Sequence, residues 1–295
     1  MPAPSWRRIV FFLVLAYVLS AIFYGQIIAT GKMRMLPTLG LMWCPGVAAL
    51  VTRLVFQRNL RGTGWGWGAT RWQALSYLLP PVTCLVVYGL VWLTGIGGVS
   101  ASGLTAAFSA QLGREIPLPA ILAILMTVGL LPGAVFALGE EIGWRGFLVP
   151  ELTGVTSFTR TALISGAAWA VYHYPLILFE DYNSGAPKWY ALLVFTWMIV
   201  AASFVFAWLR LRSGSVWTAV ILHASHNLFI QEIFDPLTQD RGITRYVTTE
   251  FGAALALAYT VGAWICWKKR GELAQARETN VPAAPLSPAM PPQPG

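Results

Sequence analysis

The chain has 295 residues, of which 56% are hydrophobic and only 11% are charged, and its formal net charge is +8. Soluble domains carry about 25% charged residues, so this composition excludes an ordinary soluble enzyme built around one core. The basic residues flank apolar runs and form no single stripe, which argues against a nucleic-acid partner. All three cysteines lie inside apolar runs, so we expect neither a disulfide framework nor a cysteine-ligated structural zinc site.

Eight apolar runs approach or reach the length of about 20 residues that a membrane-spanning helix needs. The predicted fold class is therefore all-α, a polytopic membrane bundle of about eight transmembrane helices within residues 1–270. The Pro- and Ala-rich residues 271–295 are predicted to form a disordered cytoplasmic tail, because they cannot bury enough apolar surface to fold. The predicted spans are about Ile9–Ile28, Leu36–Phe56, Ala74–Ile96, Leu118–Leu138, Phe158–Phe179, Trp189–Leu211, Val216–Ile233 and Phe251–Trp267.

An even number of spans places both termini on the same side of the membrane. Of the 20 lysines and arginines, 14 fall on that side and six on the other. Because cytoplasmic segments carry the excess of basic residues, both termini are predicted to be cytoplasmic. The protein is thus predicted to be an integral, multi-pass membrane protein, of the inner or plasma membrane if its source is bacterial.

Two adjacent carboxylates and an arginine follow the fourth apolar run. Each ionised group costs about 2.5–3.5 kcal/mol inside a membrane, so groups kept there are candidates for function. Glu140 and Glu141 point about 100° apart on a helix, and Arg145 suits an ion pair with Glu141 four residues earlier. Glu140 then has no local partner, which predicts Glu140 as a general base and the Glu141–Arg145 pair as its brace. The alternative is a simple charge cluster at a helix end.

All three histidines fall in the later spans. His173 shares a helix face with Trp169, and His223 shares one with Asn227, while His226 is rotated away. Each of these side chains could instead serve a structural contact between helices. Together with the carboxylates they could supply a general base, an imidazole partner and an oxyanion stabiliser. No serine or cysteine sits in a recognisable nucleophile motif, and there is no H-E-x-x-H zinc helix, so hydrolysis would use a water activated by carboxylate or metal.

These residues resemble the three motifs of the CPBP family of intramembrane proteases, which includes the type II CAAX prenyl proteases and Abi-type bacterial proteins. The motif E-E-x-x-x-R is matched at residues 140–145, and F-x-x-x-H appears at residues 169–173 with Trp169 in place of Phe. The motif H-x-x-x-N is matched at residues 223–227. The resemblance covers a protease-like core of about residues 118–233.

The resemblance implies an endopeptidase whose site lies in a cavity within the bundle, open toward the cytoplasmic side. In such a site the residue matching Glu140 activates water with assistance from His173, while His223 and Asn227 stabilise the oxyanion. The family has been described as both glutamate and metalloproteases, so the metal is left open: no cofactor is certain, and zinc remains an alternative. The implied partners are the lipid bilayer and a peptide or membrane-protein substrate, with or without a lipid modification.

Two other classes of function compete with the peptidase. The first is a non-catalytic membrane immunity factor or scaffold with the same fold. The presence of all matched catalytic positions argues against it. The second is a proton-coupled transporter, because buried Glu and His also form proton relays. Against the transporter, the sequence shows no inverted repeat.

Overall fold

A computed structural model describes residues 3–273 and confirms the all-α membrane bundle. The predicted tail, residues 271–295, lies almost entirely outside the described residues. Within residues 3–273, six helical segments are long and apolar enough to cross a membrane, and they correspond to the first six predicted spans. These segments are α1 (Trp6–Thr30), α2 (Met35–Gln57), α3 (Thr70–Leu93), the composite Leu118–Val155, α8 (Phe158–Phe179) and α9 (Lys188–Ser213).

The seventh and eighth predicted spans correspond to shorter helices. The seventh is α10 (Trp217–Asn227), continued by a π-helical turn over Leu228–Phe234, and the eighth is α11 (Ala253–Lys268). Short 3-10 turns cover Thr244–Tyr246 and Lys269–Gly271. The predicted number of spans is therefore approximately matched.

The fourth predicted span does not end at Leu138. The composite helix comprises α5 (Leu118–Thr127), α6 (Leu130–Gly143), a π-helical turn (Trp144–Leu148) and α7 (Val149–Val155). The apolar pattern stops at the two glutamates, but the helix continues past them. Their carboxylates are hydrogen-bonded to buried side chains. Those two side chains therefore lie inside the membrane-spanning segment and not at its end.

Between the third and fourth spans, where no element was predicted, the structure has a strand and a helix. Strand β1 (Gly97–Val99) pairs antiparallel with β2 (Thr238–Asp240), with Gly98 opposite Gln239. Helix α4 (Ser102–Leu112) follows β1. The strand pair joins the connection after α3 to the connection before α11.

The successive helices define two faces of the bundle. The terminal face contains both chain ends and the connections 58–69, 156–157 and 214–216; Val216 N–H donates to Gly64 O across two of them, at 2.8 Å. The loop face contains the connections 31–34, 94–117, 180–187 and 235–252. Besides the strand pair, a hydrogen bond of 3.1 Å from Arg245 to Gly185 O links the connections of the loop face.

Helix α6 is pressed against α2 at glycines. A Cβ atom on Gly46 would lie 2.6 Å from Gly139 O, and Cβ atoms on Gly139 and Gly143 would meet α2 backbone at 2.7 and 2.6 Å. Small residues four apart allow this close approach of membrane helices. Glu140 and Glu141 lie between the two glycines of α6, so the contact fixes the helix that carries both carboxylates.

Candidate active site

Glu140 is held by two tryptophans. Its side chain is 2% exposed, and Oε2 accepts hydrogen bonds from the indole N–H of Trp144 at 3.1 Å and of Trp169 at 2.8 Å. The expectation that Glu140 lacks a local partner is therefore wrong, because Trp144 lies one turn further along the same helix. The spacing argument considered only charged partners. Both donors are neutral, so they orient the carboxylate without neutralising its charge.

Glu141 is hydrogen-bonded to both Arg145 and His223. Its fully buried Oε1 accepts from Arg145 at 3.0 Å, which is the predicted ion pair, and from Nδ1 of His223 at 2.9 Å. The Arg145 guanidinium lies between the rings of Trp169 and Phe206, 4.0 and 4.2 Å from their centroids. Such contacts stabilise a desolvated cation. Glu141 thus connects α6 to α10.

The half-buried imidazole of His173 has a defined tautomer. Its Nδ1 lies 2.9 Å from Trp169 O, and because a carbonyl can only accept, Nδ1 must carry the proton. In the neutral ring the lone pair is then on Nε2. The ring stacks against Tyr182, with centroids 6.1 Å apart, and contacts Phe195 at 5.1 Å. The orientation of this imidazole is therefore set by one hydrogen bond and two aromatic neighbours.

The two histidines and the asparagine of α10 face in two directions. His223 points toward Glu141, so its Nε2 is the nitrogen left for other partners. His226 is rotated away, as predicted, and its ring nitrogens meet Tyr259 Oη at 2.6 Å and Glu250 Oε1 at 3.1 Å. Asn227 is half-buried and lines the cavity that contains His223.

One cavity of about 140 Å³ brings four of the six predicted site residues together. This volume can hold several water molecules. Glu141 and Arg145 lie behind the cavity wall, where they hold His223 and Trp169. The predicted residues that line the cavity are Glu140, His173, His223 and Asn227.

A second polar group on the cavity wall was missed by the sequence reasoning. Glu250 is buried and accepts from His226 at 3.1 Å, Gln231 at 2.7 Å and the Tyr182 hydroxyl at 2.7 Å. Burial alone would raise the pKa of Glu250, but these hydrogen bonds and the charge of His226 lower it to about 2. Glu250 directly precedes the eighth apolar run. That position is the one feature of the sequence that could have indicated a buried carboxylate there.

The cavity extends toward the loop face. Its lining includes Met33 between α1 and α2, Tyr182 between α8 and α9, and Glu250 before α11. The connections 58–69, 156–157 and 214–216 of the terminal face contribute no lining residue. The cavity extends toward the face opposite the chain ends. The expectation of a cytoplasmic opening and the expectation of cytoplasmic termini therefore cannot both hold.

Two observations bear on the metal that the sequence left open. Nδ1 of His173 and of His223 are both engaged with protein oxygens, which leaves Nε2 of each ring for another partner. Within residues 3–273, no group of three or more His, Cys, Asp or Glu side chains is arranged so that it could hold a metal ion.

Two comparisons with known proteins concern the segment that carries this site. Residues 119–229 match the sequence model of the family described as type II CAAX prenyl endopeptidase Rce1-like. CAAX prenyl protease 2 of Methanococcus maripaludis is 30% identical over 127 residues, which is 41% of this chain and 45% of that protein. The chain thus spans less than half the length of this relative. With the three motifs and the helical membrane bundle, these matches support the resemblance of this segment to the CPBP family of intramembrane proteases.

Proposed function

We propose that this protein is an intramembrane endopeptidase in which Glu140 activates the attacking water. The observation that carries the proposal is the convergence of Glu140, His173, His223 and Asn227 on one cavity of about 140 Å³. A general base must reach its proton directly or through one water, and a shared cavity of this size has room for that water.

Glu140 is suited to the role of base by the way it is held. Both indole donors bind Oε2, and no hydrogen bond to Oε1 comes from residues 3–273. Oε1 is thus the oxygen that would accept a proton from water while Oε2 keeps the carboxylate fixed. The water oxygen then forms a bond to the peptide carbonyl carbon, and the carbonyl oxygen becomes an oxyanion.

The oxyanion would be stabilised by His223 and Asn227. Glu141 holds the proton on Nδ1 of His223, so Nε2 can donate to the oxyanion when the ring carries its second proton. The side-chain amide of Asn227, one helical turn later, supplies a second N–H donor. Preorganised donors of this kind each contribute about 10²–10³-fold to the rate.

Collapse of the tetrahedral intermediate breaks the C–N bond and requires a proton on the leaving nitrogen. Glu140, protonated in the first step, would return that proton, and Nε2 of His173 is placed to relay it or to align the water. Overall one water is consumed, and a carboxylate and an amine are released. The same set of groups would thus act first as base and then as acid.

The substrate class follows from the family and the site. A peptide or membrane-protein substrate fits a cavity within a helical bundle. The relative from Methanococcus maripaludis is named CAAX prenyl protease 2. We propose cleavage of a prenylated CAAX peptide as the first activity to test.

The test uses purified wild type and Glu140→Gln with two internally quenched peptides, one ending in a prenylated CAAX sequence and one carrying an unmodified transmembrane segment. Wild type should cleave at least one peptide, and Glu140→Gln should lose about 10²–10⁴-fold of the rate. The control is Glu115→Gln, which removes an exposed carboxylate outside the cavity. A Glu140→Gln protein with wild-type rates would refute the proposed base. Cleavage of neither peptide would favour a scaffold or transporter.

A further inference from the structure

We propose that Thr38 and Gln231 bind the backbone of the substrate beside the scissile bond. The Thr38 hydroxyl donates to a peptide carbonyl, and Oε1 of Gln231 accepts from a peptide N–H. This role rests on the proposed peptidase activity for the chemistry at Glu140. Three observations support it: the polar atoms of the cavity wall that lack a protein partner, the orientation of the Gln231 amide, and the position of both residues between two cavities.

Most polar side chains on the cavity wall already have a partner or a part in the proposed reaction. The four reacting groups named above are assigned to the chemistry. Others are bonded within the protein, namely Trp169, Tyr172, Tyr182, His226 and Glu250. Among the described lining residues, two side-chain oxygens are left. The hydroxyl of Thr38 is buried without a hydrogen-bond partner from residues 3–273, and Oε1 of Gln231 receives no hydrogen bond from them.

The orientation of the Gln231 amide is set by Glu250. Its Nε2 donates to Oε1 of Glu250 at 2.7 Å. Despite burial, the hydrogen bonds of Glu250 and the charge of His226 lower the pKa of its carboxyl to about 2, so the carboxylate is ionised and can only accept. The reversed amide would place two acceptor oxygens against each other. The nitrogen of Gln231 therefore faces Glu250, and its oxygen is the atom available to a ligand.

Both side chains lie where the active-site cavity meets a second cavity. The second cavity has a volume of about 480 Å³ and a mostly apolar wall, which includes residues of α5 and α6. Thr38 belongs to α2, and Gln231 belongs to the π-helical turn after α10, four residues beyond Asn227. The residues that line both cavities are Thr38, Met42, Asn227 and Gln231. A peptide that extends from Glu140 into the second cavity therefore passes these side chains.

A peptide backbone at this junction needs partners from the protein. Its N–H and C=O groups are costly to leave unpaired where bulk water is excluded. Oε1 of Gln231 can accept from an N–H, and the Thr38 hydroxyl can donate to a carbonyl. These contacts would fix the register of the peptide over Glu140, and the apolar wall beyond favours an apolar side chain in the segment that follows. Both residues lie outside residues 119–229, which match the family model.

The test is a thermodynamic cycle between Gln231 and individual N–H groups of the peptide. Fluorophore-labelled forms of the two peptides of the cleavage assay are made with one backbone amide at a time replaced by an ester, which lacks the N–H donor. Their dissociation constants are measured by fluorescence anisotropy in nanodiscs, on Glu140→Gln and on Glu140→Gln combined with Gln231→Leu. With Glu140→Gln, we expect the ester at one position to bind about three- to tenfold more weakly than the amide, and with Gln231→Leu added this difference should vanish.

Thr38→Val tests the donor on the other side of the junction, because valine keeps the shape of threonine and removes the hydroxyl. In the Glu140→Gln background it should weaken binding of the all-amide peptide by about three- to tenfold. The control is Gln111→Leu, which removes an exposed glutamine of α4 and should leave every dissociation constant unchanged.

A purely structural role of Gln231 predicts a different result. Gln231→Leu would then weaken binding of the amide and of every ester by the same factor, and that outcome overturns the contact, as does binding that neither substitution changes. Binding needs no turnover, so the two proposals are separable. Coupling in a protein that cleaves neither peptide would retain the contact and refute the peptidase, cleavage without coupling at any position would refute the contact alone, and a protein that binds neither peptide would refute both.

Discussion

The terminal-face half and the loop-face half of the bundle both bury charged side chains, but they do so with different partners. Near the terminal face, Arg53 and Arg210 are bonded to backbone carbonyls, and Arg8 pairs with Glu151 at 2.9 Å. Toward the loop face, Glu140 and His173 border a cavity and keep one atom each for a ligand or water. Hydrogen bonds from buried arginines to backbone carbonyls make the first half a rigid support, whereas atoms that remain available to a ligand make the second half a reactive site.

The largest difference between the two halves is expected at the adjacent carboxylates of α6. Glu141→Gln removes the counter-charge of a buried arginine, so we expect it to lower the free energy of unfolding by about 3–5 kcal/mol. Glu140→Gln keeps an oxygen that accepts from Trp144 and Trp169, so it should cost less than about 1 kcal/mol while abolishing cleavage. Unfolding in mixed micelles, followed by tryptophan fluorescence, measures both values.

Equal destabilisation by these two substitutions would contradict the division of roles. A variant with both substitutions distinguishes further. If the residues act through separate partners, the combined loss of stability equals the sum of the two single losses within about 0.5 kcal/mol.

Glu250 tests whether the loop-face half also depends on a buried charge. Its pKa is lowered to about 2, so the charged form contributes stability that is complete above about pH 4.5 and is lost as the pH falls toward 2. Glu250→Gln should therefore lower the free energy of unfolding by about 2–3 kcal/mol at pH 6 and remove the acid dependence. Since Tyr182 stacks on His173, the variant should also reduce kcat and leave KM nearly unchanged.

The control for this experiment is Glu232→Gln, which changes an exposed carboxylate on the π-helical turn after α10. It should leave the unfolding midpoint between pH 6 and pH 3 as in wild type. An acid dependence that persists in Glu250→Gln would show that another group is responsible.

A smaller effect is expected at the contact between α2 and α6. A Cβ atom at position 143 would lie 2.7 Å from Pro45 O, so Gly143→Ala must shift α6 and should cost about 1–2 kcal/mol. Gly133→Ala on the same helix meets only Ala224, at 3.7 Å, and should be neutral or slightly stabilising. If the two substitutions shift the unfolding midpoint equally, the glycine contact does not hold the helix of Glu140 in place.

The sequence predicted the helices well because bilayer thickness imposes one long apolar run per span. It also predicted the Glu141–Arg145 pair, since residues four apart on a helix must be neighbours. It could not predict that Trp169 donates to Glu140 or that Glu250 accepts from Tyr182, because these contacts join elements distant in the chain. The same reason explains the missed strand pair, in which Gly98 meets Gln239.

Asp235 directly follows the π-helical turn after α10, on the loop face, and accepts a hydrogen bond from Tyr88 of α3. Burial raises the pKa of its half-buried carboxyl to about 7, a hydrogen bond from Tyr88 opposes that rise, and the negative charge of Glu250 adds to it. The folded protein therefore keeps a proton that the unfolded chain releases near pH 4, and stability is lost as the pH rises from there toward 7. Asp235→Asn preserves an oxygen for Tyr88 and should remove that dependence, so that the variant gains stability relative to wild type as the pH rises from 5 to 8. Unfolding midpoints at pH 5 and pH 8 measure the difference, and an unchanged pH dependence in the variant would mean that Asp235 is ionised in the folded protein at neutral pH.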